Sequence, residues 1–166
     1  MIAILVVCGL VALQRLLELR YAARNTRALL ARGAVETGAA HYPFFILLHG
    51  SWLLCTTIVA IVTYAGVDWW LIGLFALLQC ARIWVIATLG PYWTTRLISL
   101  PGAPLVRNGP FRFVRHPNYL IVTIEIATLP LAFGEYRVAI VFTLLNAALL
   151  AVRIREEERA LAGRAT

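Results

Sequence analysis

Two clusters of side chains carry groups that chemistry needs. The first is Arg115-His116-Pro117-Asn118-Tyr119: a guanidinium, an imidazole, an amide and a phenol in one short segment. The second is Arg153 with Glu156 and Glu157. Proline at the first helical position begins a helix without losing a hydrogen bond, so His116, Asn118 and Tyr119 belong at a helix mouth. Seven residues separate Asn118 from Glu125, which places them on one helical stripe, and Asn146, Arg153 and Glu157 share another. An imidazole or carboxylate can take a proton, and a guanidinium can steady an oxyanion. Arg153 and Glu125 are therefore the candidate catalytic groups, with His116 as an alternative proton acceptor. Each group also has a plainer reading. The arginine–glutamate segment can be a solvated helix end, His116 an interfacial histidine, and Glu125 and Asn146 polar contacts between helices.

The elements that hold these groups must be membrane helices. The chain has 166 residues, 61% hydrophobic and only 14% charged, with a mean hydropathy of +0.82. A soluble domain of this size has no interior able to hide so much apolar surface. Apolar runs cover residues 2–13 and continue to residue 19, then 44–65, 69–89, 119–133 and 138–152. The segment 20–32 reads as an interfacial amphipathic helix, and four prolines keep 90–116 from being one helix. No basic residue precedes the first run, so it does not read as a cleaved signal peptide. The expected fold is an all-α integral membrane bundle of five transmembrane helices, the last two a short helical hairpin turning at Gly134. It reads as one domain over 1–166, with three spans in 1–89 and a loop, hairpin and tail in 90–166.

Charge orders the spans. The net charge is +7, from 15 arginines against eight acids, with no lysine. The first and third loops carry four arginines each, the second loop only Asp68, and in the fourth Glu135 and Arg137 cancel. Positive loops mark the cytosolic side. The expectation is a multi-pass cell-membrane protein with its N-terminus outside and its C-terminus, third loop and tail in the cytosol. The hairpin then returns Glu157 to the level of His116. Arg15 with Glu18, and Gln79 with Arg82, read as buried structural pairs. Cys8, Cys55 and Cys80 read as small buried hydrophobes.

Several chemistries are excluded. No glycine-rich phosphate loop is present, no His/Cys spacing fits a zinc site, and no nucleophile elbow is found. The arginines are not gathered on one soluble basic face, so nucleic acid is not an expected partner.

With Arg115-His116-Pro117-Asn118-Tyr119 followed across a hydrophobic hairpin by Glu156-Glu157, the sequence resembles the isoprenylcysteine carboxyl methyltransferase family. Further segments resemble its bacterial branch associated with type III polyketide synthases. These are Gln14-Arg15-Leu16-Leu17-Glu18-Leu19, Arg24-Asn25, Gly33-Ala34-Val35-Glu36, His41-Tyr42-Pro43, Leu89-Gly90-Pro91-Tyr92-Trp93 and Leu100-Pro101-Gly102-Ala103-Pro104. The resemblance implies a membrane O-methyltransferase that uses S-adenosylmethionine on an alkylpyrone or alkylresorcinol hydroxyl, or on an isoprenylcysteine-like carboxylate. It implies that Leu105, Val106, Phe111, His116, Pro117, Asn118, Tyr119, Glu156 and Glu157 bind the methyl donor, and that Arg153 faces the acceptor. Phe111 stands where the wider family often has tyrosine, which leaves ring packing and no hydroxyl. The implied partners are a lipophilic acceptor and membrane lipids, with no obligate protein partner. Two other functions fit a helical membrane chain: a nicotinamide-dependent reductase related to sterol reductases, and a non-catalytic membrane partner.

Overall fold

The computed structural model describes residues 1–103 and 106–162. The described residues contain five α-helices: α1 (Ile2–Leu30), α2 (Tyr42–Val62), α3 (Trp69–Leu89), α4 (Pro117–Ala132) and α5 (Tyr136–Ala162). Four of them, α1, α2, α3 and α5, are long and apolar enough to cross a bilayer, and α4 is a shorter apolar helix. Consecutive helices run in opposite directions, so the bundle has a tight end and a broad end. The tight end holds the turns 63–68 and 133–135, tied by Asp68 N–H donating to Ala132 O at 2.8 Å and Thr63 Oγ1 donating to Glu135 at 2.7 Å. The broad end holds the two long connections and the end of α5.

Two expected boundaries change. Residues 20–32 do not form a separate interfacial helix, because α1 runs unbroken for 29 residues. The cause is its inner face: Ala22, Asn25, Thr26 and Leu29 are buried, while Arg20, Arg24 and Arg27 stay exposed. The long connections also contain strands β1 (Val35–Thr37) and β2 (Leu97–Ser99), paired antiparallel with Glu36 opposite Ile98. Three-residue strands are too short to leave a periodic signal. Of the cysteines, Cys8 is buried, but Cys55 is partly exposed and Cys80 exposed, since each lies on the face its helix register dictates.

Local chemistry explains the hairpin. Gly134 has φ +72, and α4 ends with Glu135 N–H on Pro130 O and Gly134 N–H on Leu131 O, both at 2.9 Å. This is the glycine-terminated helix stop, which needs a residue tolerant of positive φ. Pro130 has no N–H to give Ile126 O. The indole Nε1 of Trp52, 1% exposed, donates to that carbonyl instead at 3.0 Å. Trp52 sits in an apolar core with Ile4, Cys8, Leu48, Phe75, Ile126, Leu129 and Phe142.

Ionised groups also lie within the spans. Arg15 contacts Glu18 at 3.1 Å and Glu125 at 2.6 Å, and Arg82 contacts Glu18 at 2.8 Å and Glu125 at 3.5 Å. Gln79 Nε2 donates to the other Glu125 oxygen at 2.9 Å. The Arg15–Glu18 pair is as expected, whereas Gln79 and Arg82 do not pair with each other. The four charges cancel, which is the condition for holding them away from water. Glu125→Ala leaves an unmatched cation there and should cost about 3–5 kcal/mol. The thermal midpoint in detergent should fall accordingly, and an unchanged midpoint would contradict the pairing.

Candidate active site

The lengths of α4 and α5 create the site. At about 1.5 Å per residue, α4 is about 24 Å long and α5 about 40 Å. Both start from one tight turn, so α5 continues past the start of α4 and carries its charged turns over Pro117. The hydroxyl of Tyr119 lies between two of those groups. It donates to Glu157 Oε2 at 2.6 Å and accepts from Arg153 Nε at 2.9 Å. The Tyr119 ring stacks on His116, with centroids 5.2 Å apart and planes 13° from parallel. His116 Nδ1 lies 3.6 Å from the same Glu157 oxygen. Arg153 also donates from Nη2 to Thr95 O at 2.9 Å and covers the Phe45 ring at 5.1 Å, which ties α5 to the third connection and to α2.

The third connection is held in place by side chains from other elements. Asn25 Nδ2 donates to Gly90 O at 3.1 Å and Trp93 O at 2.9 Å, which satisfies backbone acceptors where α3 ends. Arg96 pairs with Glu36 at 3.1 Å and lies over Tyr42, whose hydroxyl shares a 3.0 Å hydrogen bond with Thr95. Gly109, at φ +55, packs so closely on α3 that a Cβ would come 2.6 Å from Thr88 Oγ1.

These elements enclose a cavity of about 1300 Å³. His116, Pro117, Asn118 and Tyr119 line it with Val106, Phe111, Arg153 and Glu157. Leu105 lies outside the described residues. Two expected residues stand apart. Glu156 pairs with Arg159 at 2.9 Å and faces a small groove with Gly38, His41 and Arg153, because it sits about 100° around the helix from Glu157. Glu125 does not line the cavity, and its two oxygens are taken by Arg15, Arg82 and Gln79. Its carboxylate is thus committed to the buried cluster, off the cavity.

The structure adds lining residues that the motif reading missed: Tyr92, Trp93, Arg96 and Glu158. For Tyr92 and Trp93 the signal was the Leu89-Gly90-Pro91-Tyr92-Trp93 segment, visible only as a likeness; Arg96 and Glu158 had none. Five arginines (Arg96, Arg107, Arg112, Arg115 and Arg153) and two carboxylates (Glu157 and Glu158) give the wall both signs of charge. Tyr92, Trp93, Phe111, Phe113 and Tyr119 supply flat apolar faces. Among the described residues His116 Nε2 and Trp93 Nε1 are buried without a hydrogen-bond partner. Buried polar atoms are nearly always partnered. Walls of mixed charge with flat aromatic faces fit a zwitterionic nucleoside.

Fold and site together define a membrane-embedded helical protein with a charged cavity at one end of its bundle. Residues 70–163 match the isoprenylcysteine carboxyl methyltransferase (ICMT) family, more than half of the chain, and the protein belongs to that family of membrane methyltransferases. It is similar to the uncharacterized protein YpbQ of Bacillus subtilis (strain 168), 38% identical over 165 residues, covering 97% of this chain and 94% of the relative. It is also similar to an uncharacterized protein of Haemophilus influenzae, 29% identical over 153 residues, covering 89% and 88%. No solved structure matches it.

Two variants probe the site's construction. Gly109→Ala combines a disfavoured φ with a clash and should cost about 1–3 kcal/mol. Adding Thr88→Ala should recover the steric part only, as read from thermal unfolding. Tyr119→Phe removes the shared hydroxyl from between Arg153 and Glu157. Amide hydrogen exchange near residue 157 should then quicken, and unchanged exchange would argue against that tether.

Proposed function

We propose that the protein is an S-adenosylmethionine-dependent O-methyltransferase whose acceptor is lipophilic. The observation that carries this reading is the Arg153–Tyr119–Glu157 contact beside His116, at the wall of a cavity large enough for a nucleoside. The acceptor class we favour is the ring hydroxyl of an alkylpyrone or alkylresorcinol. An isoprenylcysteine-like carboxylate is the alternative within the same chemistry.

The methyl donor supplies an electrophilic methyl group on a sulfonium, beside an ammonium and a carboxylate. Glu157 and Glu158 suit the ammonium, and the lining arginines suit the carboxylate. Phe111 and Phe113 offer faces for the adenine. Arg153 spends Nε on Tyr119 and Nη2 on Thr95, which leaves Nη1 for an acceptor oxyanion. In the transfer an oxygen–carbon bond forms as the carbon–sulfur bond breaks. The proton of a hydroxyl acceptor must leave, and the lining groups able to take it are His116 and the carboxylates of Glu157 and Glu158. A carboxylate acceptor needs no such step. The residues' main task is alignment, because oriented reactants can gain about 7–11 kcal/mol in the best cases.

The arginine-rich broad end belongs in the cytosol by the positive-inside rule. That sets the N-terminus outside and the C-terminus inside, and brings the polar methyl donor from water while the acceptor comes from the bilayer.

Titration of purified protein in detergent with S-adenosylmethionine tests the reading. His116→Ala and Glu157→Ala should each weaken binding at least about tenfold, the scale of a lost charged hydrogen bond. Arg153→Ala should lower kcat more than methyl-donor affinity. Absence of binding with and without lipid extract would end the proposal. The acceptor class shows in pH dependence. With phenols ionising near pH 10 and carboxylates near 4, turnover on a resorcinol should rise from about pH 6 to 9, while a carboxylate acceptor should give a flat profile.

A further inference from the structure

The charged cluster inside the bundle lies off the cavity, and the reaction above does not use it. One of its members nevertheless reaches the cavity wall. Arg82 is 6% exposed and commits its whole guanidinium. Nε and Nη2 hold Glu18 at 2.9 and 2.8 Å, and Nη1 lies 3.5 Å from Glu125. The same Nη1 donates to Asn118 Oδ1 at 3.3 Å, and the guanidinium lies 5.9 Å from the centre of the Trp93 ring. Asn118 and Trp93 both line the cavity.

Chemistry fixes the direction of that contact. A guanidinium has donors and no acceptor. The Asn118 atom it meets must be the amide oxygen, so the Nδ2 amino group faces the other way. No described residue accepts a hydrogen bond from Nδ2, and on this half-buried side chain it remains reachable. Without Arg82 the amide could turn over and present oxygen instead. Glu18 on α1 and Glu125 on α4 clamp the guanidinium from two sides, which leaves it little freedom to follow such a flip.

We propose that Arg82 is a positioning residue for methyl-donor binding. Clamped by Glu18 and Glu125, it holds the Asn118 amide so that Nδ2 offers a hydrogen bond to an acceptor atom of S-adenosylmethionine. The buried charges thereby set the polarity of a cavity they do not touch. This inference rests on the proposed function.

A double-mutant cycle tests it, with S-adenosylmethionine binding measured by calorimetry in detergent. Arg82→Lys keeps the charge that Glu18 and Glu125 need but loses the planar fork. Arg82→Lys and Asn118→Ala should each weaken binding about tenfold, and the double variant should be no weaker than Asn118→Ala alone. Losses that multiply in the double variant, or unchanged affinity in Arg82→Lys, would overturn the proposal. Asn118→Asp gives a second reading. It keeps an oxygen for Arg82 and removes the amino group, adding one negative charge beside the cluster, so affinity should fall about tenfold or more. Retained affinity in that variant would also overturn it. Should Arg82→Lys fail to fold, Glu18→Gln replaces it in the same cycle with the same expectation. Wild-type protein that binds no S-adenosylmethionine would instead refute the proposed function, so the two failures are distinct.

Discussion

A carboxylate inside a bilayer must be met by a cation, and that constraint organises this protein. Glu125 on α4 receives Arg15 from α1 and Arg82 from α3, with Gln79 on its second oxygen. Glu18 receives the same two guanidiniums from its other side. Three helices are thus fixed at one height by groups that cannot separate without exposing a bare charge. Apolar packing alone is weakly directional between helices in lipid. The ion cluster supplies the register that packing leaves free, and the Trp52 bond to the carbonyl released by Pro130 adds α2 to the same frame.

Register matters because the site is built from a mismatch. The short α4 and the long α5 leave the glycine-terminated turn together, and only their difference in length carries Arg153 and Glu157 over His116 and Tyr119. A slip of one residue between them would rotate α5 by about 100° and take both groups off that face. The shared Tyr119 hydroxyl records the correct register, since it meets a cation and an anion at once. Contacts from Asn25, Glu36 and Tyr42 then close the cavity by fastening the third connection across the broad end. In this way the segments at 24–25, 33–36 and 41–43, far from the reactive motif in sequence, become parts of the wall's support.

Much of this was legible in the sequence, for physical reasons. Composition fixed the membrane class, because no soluble interior could absorb such apolar content. Gly134 marked the reversal, Pro117 the start of α4, and the seven-residue stripes the facing sides of the hairpin. Those signals are local, and a helix obeys them whatever surrounds it. Their sum places Arg153 and Glu157 with His116 and Tyr119 from the sequence alone.

Tertiary structure decided what depends on partners far along the chain. Glu125 and Asn118 share a stripe, yet one is saturated by three donors while the other lines the cavity, and only the positions of α1 and α3 separate these fates. Glu156 and Glu157 are adjacent and chemically identical, yet their helix turns one toward Tyr119 and the other toward Gly38. The continuity of α1 and the small β1–β2 ribbon were likewise settled by what lay opposite them. Sequence determines which groups a helix carries and on which face. Which of those groups meet a charge, a ring or open space is determined by the other helices.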